Sequence, residues 1–193
     1  MNIYGQYRKY TRVRDAAWQA LIDCKINEMP VSLSKICGDS GIKLLKNSIT
    51  HKLVEGEYGV SIKQNNVWYI VFDDYDTIQR IRFTVAHEIG HIFLGHEMRY
   101  GYYTRRDNIV KPAAEKEADM FAARLLAPAC VLWGINALTA QQIADVCNIS
   151  LSAASYRAER IDLLRERGKF LTSPLEQRVY KQFENYIRNN RLN

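Results

Sequence analysis

Two histidines four residues apart lie inside a segment that is otherwise strongly apolar. The segment covers residues 83–94, and its apolar side chains fall on most sides of a helix, so we expect a largely buried helix. Helix geometry places His87 and His91 on one face. Buried polar side chains need partners. The apolar flanks therefore disfavour the alternative, a surface helix with two incidental histidines, and the fold must satisfy His87, Glu88 and His91.

The pattern of His87, Glu88 and His91 is typical of a hydrolytic zinc site. Two imidazole nitrogens on one helical face suit the tetrahedral coordination of zinc. Glu88 follows the first histidine, so its carboxylate can reach a water activated by the metal without binding the metal itself. It can take the proton as this water attacks a carbonyl and pass it to the leaving amine. We predict His87 and His91 as ligands and Glu88 as the catalytic base, although another divalent metal remains open.

A catalytic zinc site also needs a third protein ligand and one open position. The helix predicted over residues 113–127 offers Glu115 and Asp119, which are four residues apart and share a face. We assign Glu115 as the third ligand and Asp119 as the acceptor for the non-metal nitrogen of a ligand histidine. Glu117 points to another side and is the weaker candidate. The alternative is an ordinary solvated acidic first turn, which the helix dipole favours.

His96 is the other candidate for the third ligand. It follows His91 by five residues, whereas the metzincin pattern places its third histidine six residues after the second. We therefore rank His96 below Glu115. His51 is distant in sequence, in a polar turn region, and is predicted to be a surface residue.

Two blocks of the chain together resemble the ImmA/IrrE family of metallopeptidases. The first is RFTVAHEIGH at residues 82–91, and the second, residues 115–128, follows the pattern E-x-E-A-D-x-F-A-A-x-L-L-x-P. Both blocks match with a sensible gap, and the resemblance extends over about residues 15–164. Ala127 stands where the family usually has methionine, which is a packing position. The resemblance strengthens the assignment of Glu115 as a ligand.

The resemblance also implies a substrate. Members of the family resemble thermolysin-type enzymes in using two histidines and a glutamate, and several cleave a helix-turn-helix repressor. Such cleavage relieves repression of mobile-element or stress-response genes. The resemblance therefore implies a zinc endopeptidase with a protein substrate, a helix-turn-helix repressor, and an anti-repressor role.

The periodicity of apolar residues predicts an α+β fold. We expect a small antiparallel sheet packed against zincin-like, metal-bearing helices. Residues 1–130 are expected to form the metallopeptidase domain and residues 131–193 a helical C-terminal part. The predicted helices cover residues 15–29, 31–40, 77–94, 113–127, 141–147, 151–167 and 173–186, and the predicted strands lie at residues 42–45 and in a hairpin at 57–72.

Two further features suggest where a substrate binds. The strand Val67–Phe72 comes shortly before the metal helix. If it is an edge strand beside the cleft, Val67, Tyr69 and Val71 can bind an extended peptide by strand addition; the alternative is a simple core strand. Three tyrosines between the metal blocks can either donate a hydrogen bond to the oxyanion or serve only in packing. These tyrosines are Tyr100, Tyr102 and Tyr103.

Residues 139–164 resemble a helix-turn-helix. Polar side chains of this stretch can face DNA, or they can lie on the solvated face of a small helical appendage. The formal charge of +6 does not decide between these, since such a charge is common in proteins that bind no nucleic acid. A DNA- or protein-binding regulator with a structural or vestigial metal site is the alternative function, and these helices can equally dock the repressor substrate. The side chains concerned are Gln141, Gln142, Ser152, Ser155, Arg157 and Arg160.

The cysteines and the N-terminus favour a cytoplasmic protein. The four cysteines form no C-x-x-C pair, and each lies in an apolar stretch, which predicts buried free thiols. Residues 1–11 are polar and aromatic and lack the apolar core of a signal peptide. We therefore predict a reducing, cytoplasmic location without a membrane partner.

Overall fold

A computed structural model describes residues 3–96 and 113–192 of the chain. Helices and a small sheet alternate up to residue 72, and the remainder of the described chain is helical. The elements, in chain order, are α1 (Ile3–Asp23), α2 (Leu33–Asp39), β1 (Ile42–Lys46), α3 (Asn47–Thr50), β2 (Gly59–Gln64), β3 (Val67–Phe72), α4 (Ile78–Leu94), α5 (Ala113–Leu126), α6 (Ala129–Gly134), α7 (Ala140–Cys147), α8 (Leu151–Glu166), α9 (Pro174–Gln182) and α10 (Glu184–Asn189).

The helix that carries the two histidines begins and ends where its capping residues dictate. Thr77 precedes α4, and its side chain accepts a hydrogen bond from the backbone N–H of Arg80. Gly95 follows the helix in the left-handed region, with φ of 65°. The α+β fold class and the helix predicted over residues 77–94 are therefore confirmed.

The sheet is mixed, and the prediction of a purely antiparallel sheet is wrong. The strand order is β1-β3-β2, with β1 parallel and β2 antiparallel to β3. The Asn65-Asn66 turn, where both residues have positive φ, makes β2 and β3 a hairpin as predicted. The link over residues 47–58 starts β2 at the end of the sheet where β1 stops. The strand β2 therefore runs opposite to β1. The hairpin then reverses the chain, so β3, which lies between the two strands, runs parallel to β1.

This strand order also corrects the predicted substrate strand. Val67, Tyr69 and Val71 lie on β3, whose backbone pairs with β1 on one side and β2 on the other. A strand that is paired on both sides has no ladder positions left for a peptide. The proposal that these residues bind substrate by strand addition is therefore wrong, and β3 is a core strand. The edge strand that packs against α4 is β2.

The core lies between the sheet and the helices α1, α4 and α5. Ile70 of the central strand, Ile89 of α4 and Leu125 of α5 are fully buried. The two site helices approach closely where Gly90 faces Phe121, because a Cβ at Gly90 would lie 3.1 Å from the Phe121 side chain. The absence of a side chain at this position lets α4 and α5 pack closely enough to share a site.

Two predicted helices have different limits in the structure. The helix predicted at residues 15–29 overlaps α1 only over residues 15–23, because α1 begins at Ile3. The helix ends at Asp23, since Lys25 adopts φ of 51° and the N–H of Ile26 bonds back to the carbonyl of Leu21. The predicted tail helix is divided into α9 and α10 at Phe183, whose φ and ψ are −90° and 6°.

The helix-turn-helix stretch forms α7, a short turn and α8, but Arg157 does not face outward. Arg157 is buried, and its Nε donates to the carbonyl oxygen of Ala127 at 2.6 Å. Arg160 donates to the Tyr10 hydroxyl at 3.2 Å. Both arginines therefore anchor α8 to the rest of the protein, and Arg157 as a DNA-facing residue is wrong. DNA or substrate binding by residues 139–164 stays a prediction, as does the domain boundary at residue 130.

The four cysteines are buried and free, as predicted. Burial raises the pKa of Cys37, Cys130 and Cys147 to about 12, which keeps these thiols protonated and unreactive. No helix in the described ranges combines the length and the apolar character needed to cross a membrane. The cytoplasmic location stays a prediction.

Gly90→Ala should destabilise the protein. The added methyl group meets the buried Phe121, and overpacking of about 1–3 kcal/mol should outweigh a gain of about 1 kcal/mol in helix propensity. The matched control is Gly38→Ala in α2, where a Cβ meets nothing within 4 Å and stability should hold or rise. Urea unfolding of both variants measures the difference; equal midpoints would show that α4 and α5 can separate without cost.

Candidate metal centre

Helices α4 and α5 bring three potential metal ligands to one point. The Nε2 atoms of His87 and His91 lie 3.0 Å apart. The carboxylate of Glu115 spans the pair, with Oε2 at 3.3 Å from His87 Nε2 and Oε1 at 3.2 Å from His91 Nε2. Among the described residues these three form a group whose ligand atoms all lie within 4.8 Å of one another.

The spacing of these atoms fits a tetrahedral metal ion. For bonds of the length that zinc makes to nitrogen and oxygen, neighbouring ligand atoms in a tetrahedron lie about 3.3–3.5 Å apart. The observed separations of 3.0, 3.2 and 3.3 Å are within a few tenths of an ångström of that value. Three protein ligands leave the fourth corner open, as a catalytic site requires.

His87 is oriented by Asp119, as the sequence predicted. Its Nδ1 lies 2.9 Å from Asp119 Oδ1, one helical turn beyond Glu115 on α5. Burial alone would lower the pKa of His87, but hydrogen bonds to Asp119 and Glu115 raise it to about 9. A metal ion at Nε2 must displace a proton there, so metal affinity should weaken as the pH falls below that value. Asp119 also directs Nε2 of His87 toward the other ligands.

Glu115 remains a charged carboxylate although it is half-buried. Hydrogen bonds to His87 and His91 hold its pKa well below the usual range, against the opposing effect of burial. An ionised carboxylate is the form that binds a metal ion. The sequence alternative, an ordinary solvated first turn, does not describe Glu115, whose side chain is 20% exposed and faces two imidazoles.

Glu88 lies beside the three potential ligands and is hydrogen-bonded to a residue of the sheet. Ser61 on β2 donates a hydrogen bond from Oγ to Glu88 Oε2 at 2.7 Å, and both residues are buried. Glu88, His87 and Glu115 line one cavity together with residues 56–59, which lead into β2. Ser61 could not be predicted from the sequence, because nothing in a strand pattern signals a contact with a helix that begins 17 residues later.

His96 and Glu117 are not members of the ligand group. His96 Nδ1 lies 3.0 Å from His91 Nδ1, the ring nitrogen on the opposite side from Glu115. Glu117 Oε2 lies 3.4 Å from His96 Nε2 and is paired with Arg12. Burial lowers the pKa of the His96 imidazole. His96 as the third ligand is therefore wrong, and the ranking of Glu115 above His96 and Glu117 agrees with the geometry.

The remaining candidates lie away from the cavity or outside the described residues. Tyr100, Tyr102 and Tyr103 lie outside the described residues, so their role as oxyanion donors stays a prediction. His51, predicted to be a surface residue, is exposed at the end of α3.

The purified chain should bind one divalent metal ion. His87→Ala should abolish binding because it removes an imidazole ligand, and Glu115→Ala should weaken it. Asp119→Asn should weaken it about 10–100-fold, since it replaces a charged outer-shell acceptor with a neutral amide. Elemental analysis and chelator competition measure the effect, with His51→Asn as the control that also removes one histidine. A folded chain that takes up no metal when zinc is supplied would contradict the site.

Comparison with protein families agrees with this geometry. The chain matches the model of the IrrE N-terminal-like domain, peptidase family M78, over residues 37–159. This range is more than half of the 193 residues and contains the whole metal centre of α4 and α5, whereas α1 lies outside it. A search of curated proteins finds no significant match. The chain therefore belongs to the IrrE N-terminal-like family of metallopeptidases.

Proposed function

We propose that the chain is a zinc-dependent endopeptidase. The observation that carries the proposal is the convergence of His87 Nε2, His91 Nε2 and the Glu115 carboxylate within 3.3 Å of one another, beside Glu88. Two nitrogen donors and one carboxylate form a common ligand set of catalytic zinc. A set dominated by imidazole favours zinc over magnesium or calcium, which prefer oxygen ligands.

The role of Glu88 follows from its place next to the ligands. Bound zinc supplies the Lewis acidity that lowers the pKa of water and polarises the scissile carbonyl. Glu88 takes the proton from the attacking water and delivers it to the leaving amine. Ser61 restricts the Glu88 carboxylate to one orientation by its hydrogen bond to Oε2. The burial of this pair keeps bulk water from competing with the proton transfer.

We assign substrate binding to β2 in place of β3. The strand β2 pairs with β3 on one side only and has no strand neighbour on the other side within the described chain. Its residue Ser61 contacts Glu88, so the strand runs beside the catalytic base. An extended peptide added to this edge would pass the cavity that Glu88 and Glu115 line. Such binding through the main chain suits cleavage within a protein chain.

The proposed substrate is a helix-turn-helix repressor in the cytoplasm. This part of the proposal rests on the resemblance to the ImmA/IrrE family and on membership of the IrrE N-terminal-like family. The alternative from the sequence is a regulator that binds DNA through α7 and α8. Its two arginines, Arg157 and Arg160, instead contact Ala127 and Tyr10, which favours the peptidase.

Glu88→Gln should abolish proteolysis but keep zinc and the fold. The substitution removes the base, and general-base catalysis is worth about 10²–10⁴-fold in rate. The zinc-loaded chain is incubated with soluble protein extract of the source cell, and new N-termini are identified by mass spectrometry. We expect a few cleavages in helix-turn-helix proteins, absent with Glu88→Gln and retained with the exposed control Glu28→Gln. Identical N-termini with the wild type and Glu88→Gln would contradict the peptidase.

A bound substrate should protect the amides of β2. Amide hydrogen exchange of the Glu88→Gln protein is compared with and without a protein identified by the cleavage experiment. We expect slower exchange in residues 59–64, because an added strand would form hydrogen bonds along the side of β2 that faces away from β3. The amides of β3 serve as the internal control, since both of its sides are already paired. Unchanged exchange in β2 would rule out strand addition at this edge.

A further inference from the structure

A chain of polar contacts leads from His91 away from the ligand group. His96 Nδ1 lies 3.0 Å from His91 Nδ1, and the two rings meet edge to face at 72°. On its other side, His96 Nε2 lies 3.4 Å from Glu117 Oε2. The same carboxylate oxygen accepts a hydrogen bond from Arg12 on α1. Four side chains from three helical regions are therefore connected in series.

When a metal is bound, the hydrogen bonds of this series of side chains can be donated in only one direction. Nε2 of His91 faces Glu115 and His87, so a bound metal leaves the proton of His91 on Nδ1. That N–H donates to Nδ1 of His96. His96 must then carry its own proton on Nε2, which donates to the Glu117 carboxylate. Arg12 donates a hydrogen bond to the same carboxylate and completes the series.

The arrangement mirrors the support of the other ligand histidine. His87 donates directly to Asp119, which lies one turn from Glu115 on the same face of α5. Glu117 is two residues from Glu115, about 200° around the helix, and lies on a different face. His96 bridges the remaining gap, since its two ring nitrogens contact His91 and Glu117. Each ligand imidazole is thus connected by hydrogen bonds to a carboxylate of α5, His87 directly and His91 through His96.

The middle of this series of contacts, His96 and Glu117, lies in the protein interior. The side chains of His96 and Glu117 are 11% and 9% exposed, so their hydrogen bonds compete little with water. Arg12 is 57% exposed and lies on α1, outside the range that matches the family model. The N-terminal helix therefore contributes a charge to the surroundings of the metal centre.

We propose that His96 is a positioning residue that fixes the tautomer and ring orientation of His91 for the metal, with Glu117 and Arg12 as its supports. The proposal rests on the proposed metallopeptidase function, because it requires a metal at His91 Nε2. Outer-shell partners of this kind typically contribute about 10–100-fold to metal affinity. His96, considered from the sequence as a possible ligand, would act instead through a ligand.

The test is zinc affinity of the full chain, measured by chelator competition alongside unfolding of the metal-free protein. His96→Phe keeps a ring but removes both hydrogen bonds, and we expect zinc to bind about 10–100-fold more weakly. His96→Gln offers an amide oxygen and an amide N–H in place of the two ring nitrogens and should recover most of the affinity. Full wild-type affinity in folded His96→Phe would overturn the proposal.

The supports allow a test that leaves the His96 ring intact. Glu117→Leu removes the acceptor for His96 and should weaken zinc binding, and Arg12→Gln should weaken it less because Arg12 is largely exposed. Arg14→Gln is the matched control on α1, since Arg14 pairs with Asp15 and stacks on Trp18 instead. If His96→Phe does not fold, unchanged zinc affinity in Glu117→Leu would overturn the proposal on its own.

Double variants separate this role from a general loosening of the site. His96→Phe combined with Glu117→Leu should cost less than the sum of the two single effects, since both interrupt the same series of hydrogen bonds. His96→Phe combined with Asp119→Asn should be close to additive, because Asp119 supports the other histidine. Additivity in the first pair would overturn the proposal. Failure of the wild type to bind zinc would instead refute the metal site.

Discussion

The close packing of α4 against α5 is the constraint on which the rest of the molecule depends. At Gly90 a Cβ would lie only 3.1 Å from the fully buried Phe121 side chain, so the two helices approach closely because no side chain separates them here. This approach brings the Glu115 carboxylate within 3.3 Å of both imidazoles. The apolar contact between Gly90 and Phe121 thus helps to set the geometry of the polar site.

The side chains that surround the candidate metal site in the described part of the chain have polar partners. Asp119 bonds to His87, and Ser61 bonds to Glu88. His96 occupies the far side of His91. Unpaired groups at these positions would lose hydration without compensation. The partners come from two different helical regions and from the sheet, so the site is assembled only when these elements have packed together.

The sheet contributes position more than chemistry. Its central strand is paired on both sides, while β2 carries Ser61 to Glu88 and has a strand neighbour on one side only within the described residues. A substrate that adds to this edge would meet the open corner of the ligand group. The C-terminal helices are anchored to the same body, because Arg82 of α4 donates hydrogen bonds to the carbonyls of Val31, Cys147 and Asn148.

The sequence by itself determined the features that depend on local helical geometry. Residues four apart share a helical face, so spacing alone pairs His87 with His91 and Glu115 with Asp119. The limits of α4 and the β2–β3 hairpin follow likewise from capping and turn residues. Contacts between distant segments were decided only by the tertiary structure. Strand order depends on long-range pairing, which made β3 a core strand. The contacts of Ser61, His96 and Arg157 depend on how whole elements approach each other, and residue spacing along the chain carries no record of that distance.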